Sequence, residues 1–278
     1  MPDSVSMKSS IQQNATEPEG YVEYIKRYVQ YAVSDLEVRF RQAREETTEK
    51  CEKIWRLKLI DPASCVHSPV TLLTGDTAGS SALFMRILQL MAFEGRKKKT
   101  TVIVPQGQGV EIANSLISQE ARVDITSDKR AWTDSKYLDS IIKSCQSVAE
   151  SEIKIIDAPS LNSSLARASC SNAIDYIFVT GFPENDSVEE LKTLKGFGTG
   201  RKIPVLVLNT GEPIDPKDLW EHIDTYYHME VVDDFEYLLT AESKRLKAKE
   251  EATVTLNPTK KWIHAMESKR VYSMKEKA

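Results

Sequence analysis

The chain has 278 residues, 41% of them hydrophobic and 28% charged, with a formal net charge of -4. This length and composition exclude a disordered polymer and allow a sizeable core, as one large α/β domain or one domain with extensions. A chain that is acidic overall is no polycation, so any contact with nucleic acid has to come from local basic patches. No apolar run reaches the length of a membrane span, and the opening MPDSVSMKSSIQQNATEPEG lacks the apolar stretch of a signal peptide. The expected location is therefore nuclear or cytoplasmic, and no membrane is expected as a partner. Cys51, Cys65, Cys145 and Cys170 have no paired spacing, which argues against a zinc site and a disulfide framework.

Residues 1–19 are polar and read as a disordered start. From Gly20, the residues Tyr21, Ile25, Tyr28, Val29, Ala32, Val33, Leu36 and Phe40 follow a helical period. This predicts a helical lead-in over 20–60, packed on the core through its aromatic stripe. The stretch SPVTLLTGDTAGSSALFMRILQLMAFEGRKKKTTVIVPQ then reads as strand, glycine turn, amphipathic helix, basic turn and strand, one βαβ unit. Pro105-Gln106-Gly107-Gln108-Gly109 repeats the glycine turn before a helix with Ile112, Ala113, Leu116 and Ile117. A short strand is expected over Arg122 to Ile125, a helix around Tyr137 to Cys145 and a strand over Ile153 to Ile156.

Tyr176-Ile177-Phe178-Val179 and Val205-Leu206-Val207-Leu208 are continuous apolar runs of the kind found in parallel strands covered on both faces. Between them a helix carries Val188, Leu191 and Leu194, and KGFGTGRK follows as a loose glycine segment. Asp218 to Tyr226 reads as a short amphipathic helix and Met229 to Val232 as an edge strand. The α/β domain is expected over 61–234. A charged helix is expected from Asp234 to about Glu251, and a further helix after Asn257-Pro258, so that 235–278 form a helical extension. Strands alternating with helices imply a mostly parallel sheet with helices on both faces, Rossmann- or RecA-like, with N- and C-terminal helical extensions. Ligands on such sheets sit at the carboxyl ends of the strands.

The first βαβ unit resembles the phosphate-loop unit of nucleotide-binding folds, but its turn, GDTAGSS, has no lysine, and Asp76 brings the wrong charge to a phosphate. Ser80, Ser81 and Asp157 are fragments of the set that nucleotide hydrolysis needs. Asp157, at the end of Ile153 to Ile156, stands where motor ATPases would carry an acidic pair. A methyltransferase reading needs an acid at the end of the second strand, which here is Val104-Pro105-Gln106. His67, His222, His228 and His264 join no nucleophile motif and no ligand cluster. These residues predict no enzyme, no cofactor and no metal. Arg96, Lys97, Lys98 and Lys99, with Lys129 and Arg130, and with Lys195, Arg201 and Lys202, form three basic segments that read either as solvated surface or as a nucleic-acid face.

In order, SPVTLLTGDTAGSSALFMRIL, TTVIVPQGQGVEIANSL, IKIIDAPS, IDYIFVTGFPENDSVEELKTL and IPVLVLNTGE resemble the helicase-like domain of subunits 2 and 3 of the fungal class II histone deacetylase complex, and a related domain of the fission-yeast telomere and silencing machinery. The resemblance, over about Tyr21 to Thr240, implies a second motor lobe of the chromatin-remodelling type without ATP chemistry. It implies a subunit of a chromatin-silencing or telomere complex, with protein subunits as partners and DNA as a further candidate. The alternatives are an enzyme using adenosylmethionine or a nucleotide on a Rossmann-like fold, and a pure protein-interaction scaffold.

Overall fold

The computed structural model describes residues 22–24, 28–29, 70–93, 98–127, 130–133, 135–170, 173–181, 187–209, 219–244, 247–257, 259 and 261–273. Its spine is a ten-stranded sheet. In chain order the elements are β1 (Val22–Tyr24), β2 (Val70–Gly75), α1 (Thr77–Ala92), β3 (Thr100–Pro105), α2 (Gly109–Ala121), α3 (Arg130–Thr133), α4 (Ser135–Glu150), β4 (Ile153–Ala158), α5 (Leu161–Ser169) and β5 (Tyr176–Thr180). Then come α6 (Ser187–Arg201), β6 (Val205–Leu208), β7 (Thr225–Val231), β8 (Glu236–Ser243), β9 (Ala248–Leu256) and β10 (Ile263–Ser273).

The strands lie in the order β1-β4-β3-β5-β6-β2-β7-β8-β9-β10. From β4 to β7 every neighbouring pair is parallel, while β1 on one side and β8, β9 and β10 on the other pair antiparallel. The parallel strands are apolar on both faces because both faces are covered. On one side Leu83, Phe84, Ile87 and Leu88 of α1, Leu116 and Ile117 of α2, and Ile141 and Val148 of α4 close over Leu73, Val102, Val104 and Phe178. Phe84 meets Phe178 edge to face at 5.4 Å. On the other side Leu161 and Leu165 of α5, with Leu191 and Leu194 of α6, cover Val70, Leu72, Ile103 and Val179. The α/β sheet, mostly parallel with helices on both faces, is thus as the sequence predicts.

Several local expectations are corrected. The two C-terminal helices are strands: in β8 and β9 burial alternates residue by residue, with Tyr237, Leu239, Ala241, Ala252, Val254 and Leu256 inward. Period two, not charge content, decides here, because these strands bury one face in the core they share with α1 and α2 and keep Glu236, Glu242, Lys249 and Glu251 on the other, with Glu250 alone of their charged residues on the buried face. The lead-in begins as strand, Val22–Tyr24 pairing with β4, whereas Tyr28 and Val29 are helical and buried. The rest of the predicted lead-in, and residues 1–19, lie outside the described residues. Arg122 to Ile125 is a turn: Arg122 caps α2 at φ 57, and the Asp124 carboxylate accepts bonds from the Thr126 and Ser127 amides and hydroxyls. Lys195 to Arg201 is the last part of α6, not a loop. Thr225 and Tyr226 open a strand, and β7 is interior, between β2 and β8.

Candidate functional site

The carboxyl ends of the parallel strands form the rim where such sheets carry ligands. At β2 the chain turns from strand to helix through Asp76 alone. Gly75 takes φ 107, and a Cβ there would come within 2.1 Å of the Met229 carbonyl oxygen, so the residue has to be glycine. The Asp76 carboxylate caps α1, accepting bonds from the Ala78 and Gly79 amides at 3.0 Å each. It thereby occupies the positive end of the helix, where an anion would otherwise sit. Tyr237 closes the place from above: a Cβ on Gly79 would lie 2.8 Å from its ring, and its hydroxyl bonds to Asp76. Burial, and then the charges of Asp76 and Asp234, push the Tyr237 phenol above its ordinary range. Ser80 is fully buried and its hydroxyl donates back to the Asp76 carbonyl at 2.7 Å.

Asp157 is not part of this turn. Strands β3, β5 and β6 separate β4 from β2, a distance of roughly 19 Å at ~4.8 Å per strand. Its carboxylate instead ties down the neighbouring turn, accepting from the Gly107 amide at 2.7 Å and the Gly109 amide at 3.3 Å. The Tyr28 hydroxyl donates to it at 3.4 Å. Asp157 and the serines of α1 therefore do not form one magnesium site.

What the sheet does assemble at the rim is a hydroxyl and imidazole cluster. Thr74 pairs in register with His228 across β2 and β7. The Thr74 hydroxyl donates to Tyr226 Oη at 2.9 Å and lies 3.2 Å from His228 Nδ1, while Tyr226 Oη is 3.4 Å from that nitrogen. The Tyr226 and His228 rings are parallel, and Trp220 meets Tyr226 edge on. Thr74 and Tyr226 are buried and His228 is half-buried, so of the three it is His228 that is partly open to solvent at this rim. Sequence reasoning gave His228 no role. The signal was Tyr-x-His on alternate positions of one strand, but nothing in the sequence puts that strand beside β2.

The basic residues lie elsewhere. Lys98 and Lys99 precede β3 and Lys202 precedes β6, so the parallel sheet carries them to its opposite edge, where strands begin. Lys98 is 3.9 Å from Asp175 and Lys99 is 3.9 Å from Glu152, both pairs exposed. Lys195 lies at the same edge, 3.5 Å from Asp224 and donating to the Glu221 carbonyl at 3.1 Å. Arg201 donates to the Ser169 carbonyl at 3.2 Å and stacks over Phe197 at 5.1 Å. Arg130 opens α3. Arg96, Lys97 and Lys129 are outside the described residues. Because Lys195 to Arg201 is helical, its amides are engaged within α6 and do not form a phosphate-binding loop.

Among the described residues no group of His, Cys, Asp or Glu is placed to hold a metal, and no helix is long and apolar enough to cross a membrane. Cys145 is buried, which pushes its thiol up to about 11, and Cys170 is exposed and free.

This architecture, a parallel sheet with helices on both faces and an antiparallel wing, is the RecA-like fold of helicase ATPase domains. A solved structure described as an ATPase domain matches it with a TM-score of 0.54 at 12% identity, over 70% of this chain and 83% of that one. A DnaB-like replicative helicase, described with its interactions with primase, matches with a TM-score of 0.55 at 13% identity. That match covers 70% of this chain and 56% of the other, so the chain spans little more than half the length of that helicase. Identities this low show the fold alone. No family model and no curated protein matches the chain. The expectation that the chain is no enzyme is corrected by these matches. The matched fold is that of ATPase domains, and a turn without lysine is no ground for denying it catalysis.

Proposed function

We propose that the chain is a helicase-like module working as a subunit of a chromatin-silencing or telomere complex, where it holds protein partners and contacts DNA. The observation that carries the reading is the sheet itself, whose parallel core and two helical layers match those of helicase ATPase domains. The ordered resemblance of its segments to the helicase-like domain of the fungal histone deacetylase complex supplies the setting. One of the matched helicases is described in contact with another protein, primase, which supports a role in an assembly. DNA would be met at the edge where Lys98, Lys99, Lys195, Arg201 and Lys202 gather. The test is purification of the tagged chain from its own cells. Near-stoichiometric recovery of a histone deacetylase subunit is expected, and recovery as a lone monomer would sink the reading.

A second reading, a nucleotide-dependent enzyme, is favoured by the ATPase domains among the matched structures. A ligand that binds only the folded chain raises its melting temperature. Thermal melts with magnesium-ATP and with adenosylmethionine therefore separate the two readings. A shift with ATP that persists in His228→Ala and grows in Asp76→Asn, which takes the negative charge from the helix end, would locate the nucleotide at the β2–α1 turn.

A further inference from the structure

Strand β10, Ile263–Ser273, is with 11 residues the longest strand described, and it is the last in the sheet. It pairs antiparallel with β9, and among the described residues no strand pairs with its other edge. At the far end of the sheet β1 is only 3 residues long. An edge strand presents a row of unpaired N–H and C=O groups, and its length sets how many bonds a further strand can make. No proline interrupts β10, so every residue keeps its amide.

The register with β9 fixes which positions of β10 share a face, because directly opposed residues of an antiparallel pair lie on the same side of the sheet. In β9, Glu250, Ala252 and Val254 are buried, while Lys249, Glu251, Thr253 and Thr255 are half-buried on the outer face. Ala265 is opposite Thr255 and Glu267 opposite Thr253; beyond a bulge at Lys269, Arg270 is opposite Glu251 and Tyr272 opposite Lys249. These four hold outer positions. Met266, Ser268 and Val271, opposite Val254, Ala252 and Glu250, hold inner ones. In an unbroken strand Glu267 and Arg270, three apart, would fall on opposite faces. The bulge brings them to the same face. From its middle, Glu267, Met266 and Ala265 in one direction and Arg270, Val271 and Tyr272 in the other are outer, inner, outer. A second shift, at His264, lies outside these six positions.

We propose that the free edge of β10 joins two copies of this chain, their β10 strands antiparallel about a two-fold axis at the Ser268–Lys269 bulge. That arrangement sets Glu267 of each copy opposite Arg270 of the other, Met266 opposite Val271 and Ala265 opposite Tyr272. Each pair shares a face, and by symmetry each occurs twice, so opposite charges meet at two places and apolar residues at two more. Charge and register decide for this occupant. Parallel copies in register would set Glu267 against Glu267 and Arg270 against Arg270. A regular strand from another protein would stay in step with the faces of β10 on one side of the bulge only. The contact uses the same edge of both copies, so it closes at two and does not grow into a fibre. The inference goes beyond the reading of the chain as a subunit and does not rest on it.

Sedimentation of the full chain over a dilution series tests this, and the parent should pass from monomer to dimer as concentration rises. Glu267→Arg sets arginine against arginine at two symmetric places and should raise the dissociation constant about tenfold. Arg270→Glu should do the same, and the two changes together should restore the parent value. Thermal melts check that each variant is folded. A second measurement needs no change of charge. Ala265→Cys mixed with Tyr272→Cys should give a disulfide-linked dimer under a copper–phenanthroline oxidant, because the two positions are opposed across the axis. Neither variant alone should cross-link beyond the parent. A chain that stays monomeric at every concentration, a dimer indifferent to both charge reversals, a double variant as weak as the single ones, or a mixture that does not cross-link would each overturn the proposal.

Discussion

Asp124 shows what a single side chain does for this fold. It lies in the turn after α2, is buried, and receives the Thr126 and Ser127 hydroxyls, their amides and the Lys261 ammonium at 3.4 Å. Burial alone would raise its carboxyl, but the hydroxyls, amides and Lys261 more than offset that and hold it at about 2 against an ordinary 3.8. A carboxyl lowered by folding stabilises the folded state above its unfolded value and loses that contribution as pH falls towards 2. The expected contribution is about 1–2 kcal/mol at neutral pH. Asp124→Asn should therefore lower stability at pH 7, with the difference from the parent shrinking below pH 4; urea melts over that range check it, and a constant difference would refute the assignment. Gly75→Ala is a second residue-scale test. The added methyl meets the Met229 carbonyl in a left-handed backbone, and the expected loss is about 2 kcal/mol or more.

At the scale of elements, α6 and the C-terminal strands carry the lesson. Three glycines between Lys195 and Arg201 suggest a mobile loop, yet the helix runs through them because Leu191 and Leu194 are pinned in the core and Ile203 and Val205 are buried beyond its end. Gly196 and Gly200 are exposed, and a Cβ on either would meet nothing within 4 Å. Gly196→Ala and Gly200→Ala should thus each stabilise the protein, by roughly 0.5–1 kcal/mol, through lower unfolded-chain entropy. Gly109→Ala should destabilise it, since its Cβ would lie 2.4 Å from the Tyr28 ring. Chemical melts of the three variants give the comparison, and loss of stability in both α6 variants would mean that the segment is not helical in solution. In β8 and β9 tertiary packing overrides composition: Glu236, Glu242, Lys249 and Glu251, which favour a helix, share the outer positions with Leu238, Thr240, Thr253 and Thr255, and the intervening residues, Glu250 among them, are buried.

At the scale of the whole molecule the sheet separates two kinds of surface. The rim holds Asp76 and the Thr74–Tyr226–His228 cluster, while the opposite edge gathers Lys98, Lys99, Lys195, Arg201 and Lys202 among acids. If that edge meets DNA, Lys98→Glu with Lys99→Glu should weaken binding and make the salt slope shallower by about 2. Binding titrations at several salt concentrations measure this, and an unchanged slope would count against the edge. No binding at any salt would leave the module to its protein contacts.

The alternation of apolar strands with amphipathic helices was enough to determine an α/β sheet covered on both faces, since a strand such as Tyr176 to Val179 can be apolar throughout only if both faces are buried. The short turn at Asp76 and the missing lysine were likewise legible, being matters of local spacing. Tertiary structure alone decided that Asp157 stands four strands from that turn, that Tyr237 from β8 closes over it, and that His228 meets Thr74. Strand order joins residues about 150 positions apart, and no local period encodes it. The same holds for the C-terminal strands, whose conformation is set by the α1 and α2 surface on which they fold and not by their own charge.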